Sequence, residues 1–454
     1  MASELTDPAR TIPNLVPDPT RSSALDRSAA GPATAVGRSP VPAILGSILG
    51  GLALAIFFVL GPASGGSEAT VTGSALAGFG LGWAVMGYAS RRFSAQPQRW
   101  TRVPAAGLGL TGLALIILQP GAVVIELLSW IWPVALAALV MWTVGQVRRE
   151  LHGRGRWLLT PVLAVLIACS IGGAAATLAA AVGRSDAPAA GRLVDVGGRS
   201  LYLECHGSGS PVVLLQAGLN GTAADWSQVA SAIAPSTTVC AYDRAGHGWS
   251  DPAAGPQDGA AIAGDLRTLL DRAGVAGHYV VVGHSSGGPY VRVFADRYSD
   301  QVAGMVLIDA QPADAFAALP DYPGFYAPYR AVTNLAPSLA RVGLGFLLAS
   351  PADPSGVRTA QGMRDEVLAL PDALRQAGGL TTIGDRPLVV LTAGSGGQRG
   401  WLAAQDRLVG LSSNAVHRVV ATATHDSLLL ADAPASAQAI LDVVAAARSG
   451  GAIR

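Results

Sequence analysis

The chain has 454 residues, a formal net charge of +1 and a mean hydropathy of +0.40, and only 13% of its residues are charged. This length accommodates two or more domains, and the composition is too apolar for a protein that is soluble throughout. The near-neutral charge argues against a nucleic-acid partner, because nucleic-acid-binding proteins present a basic face to the phosphate backbone.

The first 40 residues are polar and rich in Pro, Ser and Ala, with acidic and basic side chains mixed. A segment of this kind buries too little apolar surface to fold, so we expect residues 1–40 to form a disordered tail. The segment is also too long and too acidic to be the amino-terminal part of a signal peptide.

Five apolar runs follow, and most of them reach the ~20 residues that a bilayer requires. They carry almost no charged residue apart from Glu126, and none shows the polar face of a helix in a soluble domain. Residues 41–182 are therefore predicted to form a transmembrane domain of about five helices. The runs are Ile44–Leu60, Thr72–Ala89, Pro104–Leu118, Val123–Val144 and Trp157–Val182.

The arginines between these runs predict the orientation of the domain. Arg38 precedes the first run, the connections after the second and fourth runs each carry four arginines, and those after the first and third carry none. Cytoplasmic loops are enriched in basic residues, so this alternation places the amino terminus in the cytoplasm. An odd number of spans then places the chain beyond about residue 184 outside, and we expect an integral protein of the plasma membrane.

A short linker, residues 183–191, leads into about 260 residues in which strand-like and helical segments such as Ala260–Ala273 alternate. This alternation predicts a mainly parallel sheet that is covered by helices on both faces. Residues 192–454 are therefore predicted to form one α/β domain, which opens with a hairpin at Gly197-Gly198. The predicted strands are Arg192–Val196, Ser200–Glu204, Val212–Gln216, Thr237–Tyr242, Tyr279–Val282, Val302–Ile308, Pro387–Leu391 and Arg418–Ala421.

One strand of this domain runs directly into a Gly-x-Ser-x-Gly motif. Val280–Val282 is followed by Gly283-His284-Ser285-Ser286-Gly287 and then by residues compatible with a helix. A serine on such a strand-to-helix turn is a nucleophile elbow, whose strained backbone exposes the hydroxyl and whose glycines permit a close backbone approach. Ser285 is therefore the predicted nucleophile.

With three further motifs, this part of the chain resembles the α/β-hydrolase family over about residues 190–448. Gln216–Leu219 ends the third strand, Tyr242–Asp251 is similar to the family's Asp-Arg-x-Gly-x-Gly-x-Ser turn, and His425 lies in a loop after the last strand. The resemblance implies an eight-stranded hydrolase sheet. We interpret the apolar, aromatic-rich residues at about 311–385 as a helical cap. The chain shows no metal-ligand spacing and no phosphate-binding glycine loop, so we expect neither a metal nor a cofactor.

The resemblance also implies roles for residues outside the elbow. His425 is the predicted general base, since the family's chain order is Ser, acid, His. His417, at the start of the last strand, is the alternative base. The backbone N–H groups of Leu219 and Ser286 are the predicted oxyanion hole.

The acid is assigned by its position after a strand. The family usually carries it after the seventh strand, but the loop Thr392–Gln398 contains no carboxylate. Some members carry it instead at the carboxyl end of the sixth strand, where Asp309 stands. Asp309 is the predicted acid, and Asp314 and Asp406 are the alternatives.

Two cysteines, Cys205 and Cys240, fall on the second and fourth strands, which are neighbours in the family's strand order. The resemblance therefore allows a disulfide between them, which an oxidising outer compartment permits.

These features predict a membrane-anchored serine hydrolase that cleaves the carboxylic ester of a small molecule or a lipid, with the lipid bilayer as its other partner. Alternatives are peptidase or acyltransferase chemistry, and a non-catalytic ligand-binding or scaffold protein. A transport channel is disfavoured, because its pathway normally needs ionisable residues that these spans almost entirely lack.

Overall fold

The computed structural model describes residues 39–453 except 62, 64, 184 and 254, so residues 1–38 of the predicted tail lie outside the described residues. The described chain begins with five helices that are long and apolar enough to cross a membrane. All five predicted apolar runs lie within these helices. They are α1 (Val41–Leu60), α2 (Glu68–Phe93), α3 (Arg102–Leu118, extended at its start by the 3-10 turn Arg99–Thr101), α4 (Ala122–Glu150) and α5 (Arg154–Val182).

Small residues bring the first three helices into backbone contact. A Cβ on Gly78 of α2 would lie 2.7 Å from the Cα of Ala55 in α1, and one on Gly80 would lie 2.7 Å from the Cα of Gly109 in α3. Side chains no larger than Gly and Ala allow this approach, which is the kind of close packing that holds transmembrane helices together. Accordingly α2 packs on both α1 and α3, whereas α4 packs mainly on α5.

An eight-stranded sheet follows, with the strand order β1-β2-β4-β3-β5-β6-β7-β8. β2 is antiparallel to both of its neighbours, and the remaining pairs are parallel. This sheet, preceded by five apolar helices, confirms the predicted fold class. The strands are β1 (Gly191–Asp195), β2 (Ser200–His206), β3 (Val212–Gln216), β4 (Val239–Tyr242), β5 (Tyr279–His284), β6 (Val302–Ile308), β7 (Leu388–Ala393) and β8 (Ala415–Val420).

The central strands are buried on both faces, which is why their sequences are continuously apolar. Helices α7 and α8 contribute to the core on one face, and α6 and α13 contribute to the core on the other. The helices of the sheet layers are α6 (Ser227–Ile233), α7 (Gly259–Ala273), α8 (Gly287–Arg297), α12 (Trp401–Leu408) and α13 (Ala433–Ser449).

Three helices lie between β6 and β7, where the sequence predicts a cap, and we call residues 310–387 the insert. They are α9 (Ala315–Ala318), α10 (Tyr322–Arg341) and α11 (Val357–Ala377). Besides packing on α11, α10 contacts α1, α2 and α5. The insert therefore joins the α/β domain to the apolar helices.

Cys205 and Cys240 occupy paired positions on β2 and β4 and form a disulfide. The predicted pairing is therefore present. Among the described residues, Cys169 in α5 is the free cysteine.

Candidate active site

The predicted catalytic side chains stand at one edge of the sheet. Ser285 directly follows β5, Asp309 directly follows β6, and His425 lies in the loop after β8. β5, β6, β7 and β8 are mutually parallel, so their carboxyl ends meet at the same edge. In open α/β sheets this edge is where ligands bind.

The backbone at Ser285 is strained, as the elbow motif predicts. Its φ is +56°, in the left-handed region that residues other than glycine rarely adopt. The Ser285 N–H donates to the carbonyl of Ile308 at 3.2 Å, which ties the turn to the end of β6. A Cβ on Gly283 would lie 2.7 Å from the Cα of Gly288, so the strand and the helix approach too closely for a larger residue.

Asp309 and His425 are in direct contact. His425 Nδ1 donates to Asp309 Oδ2 at 2.6 Å, and the carboxylate is only 5% exposed. The other carboxylate oxygen accepts from the indole Nε1 of Trp401 at 2.8 Å and from the N–H of Ala393 at 3.2 Å. Because the carboxylate only accepts, a neutral His425 carries its proton on Nδ1 and leaves Nε2 able to accept one.

The alternative residues make other contacts. Asp314 pairs with Arg407 at 3.1 Å, and Asp406 Oδ1 lies 3.2 Å from His417 Nδ1. The second ring nitrogen of His417 lies 2.9 Å from the hydroxyl of Thr392. Of the three candidate acids, Asp309 is the one hydrogen-bonded to His425.

His284, the variable position of the elbow motif, supports the histidine loop. Its ring packs on that of His425 with 4.5 Å between centroids, and its Nε2 donates to the backbone carbonyl of His425 at 3.1 Å. Burial, followed by the nearby imidazole of His425, lowers the pKa of His284 to about 4. His284 is therefore neutral at physiological pH. The motif contains this residue but does not reveal its role.

This depressed pKa predicts a pH-dependent stability. Since the pKa falls from 6.5 to about 4 on folding, the unfolded chain binds a proton in this interval that the folded chain does not. Stability is thus expected to fall as the pH drops from 6.5 to 4, by roughly 3 kcal/mol from this group. The slope of apparent Tm against pH between pH 6.5 and pH 4, measured on the detergent-solubilised protein, should therefore be smaller in His284→Gln than in the wild type. The same change at the exposed His278 should leave the slope intact; equal slopes in both variants would contradict the assignment.

The predicted oxyanion loop, residues 217–220, lies directly against Ser285, the predicted nucleophile. A Cβ on Gly218 would be 2.9 Å from the Cβ of Ser285. The guanidinium of Arg244 donates to the carbonyls of Ala217 at 2.8 Å and Gly218 at 2.7 Å. In a trans peptide the C=O and the next N–H point in opposite directions, so the bond to the Gly218 carbonyl also sets the direction of the Leu219 N–H.

Arg244 is itself held by Glu366, which α11 of the insert contributes. Its Nε donates to Glu366 Oε1, and Glu366 Oε2 accepts from the N–H of Asn220 at 3.0 Å. Both side chains are at most 2% exposed. Burial alone would raise the pKa of Glu366, but Arg244 and then His247 outweigh it and hold that pKa well below its usual range. The pair therefore stays ionised.

This support was not predicted from the sequence. Arg244 belongs to the Asp-Arg motif, whose spacing gives no partner for the guanidinium. Glu366 is 122 residues from Arg244 and 146 residues from Asn220, so no local pattern could have linked them. The role of Trp401 was likewise not predicted.

Residues 211–361 match a family model described as alpha/beta hydrolase fold. The chain is 32% identical over 137 residues to the probable transporter efuK of Hormonema carpetanum, covering 28% of this chain and 20% of that protein. It is 36% identical over 121 residues to the putative carbamate hydrolase RutD of Azorhizobium caulinodans, covering 26% of this chain and 45% of that protein. The chain thus spans less than half the length of these curated relatives.

Among solved structures, a thermophilic esterase from Thermogutta terrifontis aligns with a TM-score of 0.46 at 21% identity. The alignment covers 57% of this chain and 98% of the esterase.

Proposed function

We propose, from the premise that the chain carries a domain of the α/β-hydrolase-fold family, that it is a membrane-anchored serine hydrolase of carboxylic esters. The observation that carries the proposal is the hydrogen bond of 2.6 Å between His425 Nδ1 and buried Asp309, at the same edge of the sheet as the strained Ser285. This arrangement supports a nucleophile, a base and an orienting acid in the roles expected of a catalytic triad.

In the proposed reaction, Ser285 Oγ attacks the ester carbonyl carbon while its proton passes to His425 Nε2. The tetrahedral oxyanion is held by the N–H groups of Leu219 and Ser286. Its collapse breaks the bond to the alcohol oxygen, which takes the proton from His425. Water then attacks the acyl-serine and gives a proton to His425. The carboxylic acid is released as that proton returns to Ser285 Oγ. Asp309 stabilises the imidazolium in both steps.

Covalent labelling tests the nucleophile. The full-length protein in detergent is expected to react with a fluorophosphonate probe, because the hydroxyl displaces fluoride from phosphorus as it would attack an ester. Ser285→Ala is expected to abolish labelling, whereas Ser413→Ala, the same change at an exposed serine, is expected to leave it unchanged. Labelling that persists in Ser285→Ala would refute the proposal, and so would a correctly folded wild-type protein that is never labelled.

The proposed substrate carries a long apolar acyl or alcohol group. Support comes from an aromatic cluster of the insert, Phe316, Tyr322 and Tyr326, whose ring centroids lie 5.0 to 6.2 Å apart. The tyrosines belong to a buried apolar cluster against which Leu219 of the proposed oxyanion loop and Trp401, a partner of the proposed acid, also pack. We expect kcat/KM for p-nitrophenyl octanoate to exceed that for the acetate at least tenfold, since each buried CH₂ contributes about 0.8 kcal/mol. Equal values would remove the lipid-ester assignment but leave the esterase assignment standing.

We place the α/β domain on the outer side of the plasma membrane and the amino terminus in the cytoplasm. The alternation of arginines between the spans supports this orientation. The disulfide between Cys205 and Cys240 supports it independently, because disulfides persist in oxidising compartments. A membrane-impermeant fluorophosphonate on intact cells tests the orientation, since a cytoplasmic domain would be labelled only after lysis.

A further inference from the structure

A short apolar turn of the insert stands beside the membrane helices. Residues Leu344–Leu348 form this turn between α10 and α11. Leu347 is 84% exposed, Leu344 is 52% exposed and Phe346 is 45% exposed. Three large apolar side chains exposed together within four positions are unfavourable in water and mark a surface that another apolar phase covers.

Two contacts fix the position of this turn along α5. Before the turn, Gly343 meets Gly172 so closely that a Cβ on Gly343 would lie 2.7 Å from the Cα of Gly172. After the turn, the carbonyl of Pro351 accepts from both the N–H and the hydroxyl of Ser185, each at 3.0 Å. Gly172 lies ten residues before the end of α5 at Val182, which is about 15 Å along a helix. The turn therefore runs beside the last three turns of a candidate membrane span.

The polar groups on this side of α10 are partnered by the membrane helices. Arg341 forms an ion pair with Glu68 at the start of α2 and donates to the hydroxyl of Ser129 in α4 at 3.0 Å. The hydroxyl of Ser338 lies 2.7 Å from that of Thr72. Charges at bilayer depth are costly unless they are paired, and this pairing is what immersion of the segment requires.

The same stretch of α5 exposes large apolar side chains of its own. Ile171, Leu178 and Val182 of α5 are 66%, 58% and 85% exposed and lie over the same stretch of the helix. Side chains of a span at this depth are in contact with lipid if they do not contact protein. The side chains of the turn lie at the same depth along α5, so lipid is expected to surround them as well.

We propose that the turn Leu344–Leu348 is immersed in the bilayer, with Leu344, Phe346 and Leu347 against phospholipid acyl chains. The α/β domain is then held at the membrane surface by its own insert as well as by the linker after α5. Since α10 also packs Tyr322 and Tyr326 beside the candidate active site, one helix spans from the acyl-chain region to the site.

Spin labelling of the full-length chain in phosphatidylcholine/phosphatidylglycerol nanodiscs tests this proposal. In a Cys169→Ala background, a nitroxide is attached at Leu347→Cys, at Ile171→Cys as the span reference, and at Val419→Cys as an exposed reference on β8. We expect the label at 347 to match that at 171, with high accessibility to oxygen and low accessibility to a nickel chelate. Phe346→Cys provides a second position should Leu347→Cys fail to fold.

Two outcomes would overturn the proposal. A label at 347 that is as accessible to the nickel chelate as that at 419 would place the turn in water. A label protected from both oxygen and nickel, with dipolar broadening between spins, would show that a second copy of the chain covers the turn instead of lipid. Neither outcome depends on whether Ser285 is a nucleophile.

Discussion

Asp309→Asn is expected to lower kcat for ester hydrolysis about ten-thousand-fold while changing KM only a few-fold. The amide cannot accept from His425 Nδ1 through its nitrogen and carries no charge to stabilise the imidazolium. It also favours the tautomer whose Nε2 is already protonated and cannot serve as a base. Trp401 and Ala393 donate to the other oxygen, so they hold the amide oxygen of the Asp309→Asn variant in that place and leave its nitrogen facing His425.

Asp314→Asn is the matched control for this prediction. Asp314 follows the same strand but is 55% exposed and pairs with Arg407, so its replacement should leave kcat within twofold. Steady-state kinetics with a p-nitrophenyl ester measure both variants, and the rate of fluorophosphonate labelling should fall in parallel for Asp309→Asn. A tenth or more of the wild-type kcat remaining in Asp309→Asn would mean that another group orients His425.

Glu366→Ala is expected to destabilise the protein by about 3–5 kcal/mol, because it leaves the guanidinium of Arg244 buried without a counter-charge. The milder Glu366→Gln retains a side chain of the same shape but removes the charge. It is expected to lower kcat about a hundredfold, the effect of losing one oxyanion donor, because the loop 217–220 loses the support that directs the Leu219 N–H. KM should change less, since Glu366 holds the loop and does not touch the ester.

The neighbouring residue provides the control for Glu366. Asp365 is 42% exposed and pairs with Arg364 at 2.6 Å, so Asp365→Asn should change stability by no more than about 0.5 kcal/mol and leave kcat unchanged. Apparent Tm in detergent and kcat are measured on all variants. If Glu366→Gln lowered only the Tm and kept the wild-type kcat, the pair would be a purely structural element of the fold.

Local sequence was sufficient to predict the five apolar helices, the strands and the elbow. Each apolar run needs only its own composition to be recognised, and α1–α5 contain all five predicted runs. The strain at Ser285 also follows from neighbours in the chain, because Gly283 and Gly287 are the residues that permit the tight turn. For the acid, position after a strand favoured Asp309 over Asp314 and Asp406, and only the structure shows that Asp309 is the one that contacts His425.

The remaining features depend on contacts between distant parts of the chain. Arg244 and Glu366 come together only because α11 of the insert packs over the loop after β3, and no periodicity within either segment records that contact. In the sequence, Leu344–Leu348 is an ordinary apolar stretch. Its place beside α5 is known only from the contact between the preceding Gly343 and Gly172. Sequence alone thus determined which segments are apolar, which are strands and where the strained serine stands, because these properties arise from neighbouring residues. Tertiary structure decided which charges meet and which apolar segments lie side by side, because these depend on how segments separated by more than a hundred residues pack together.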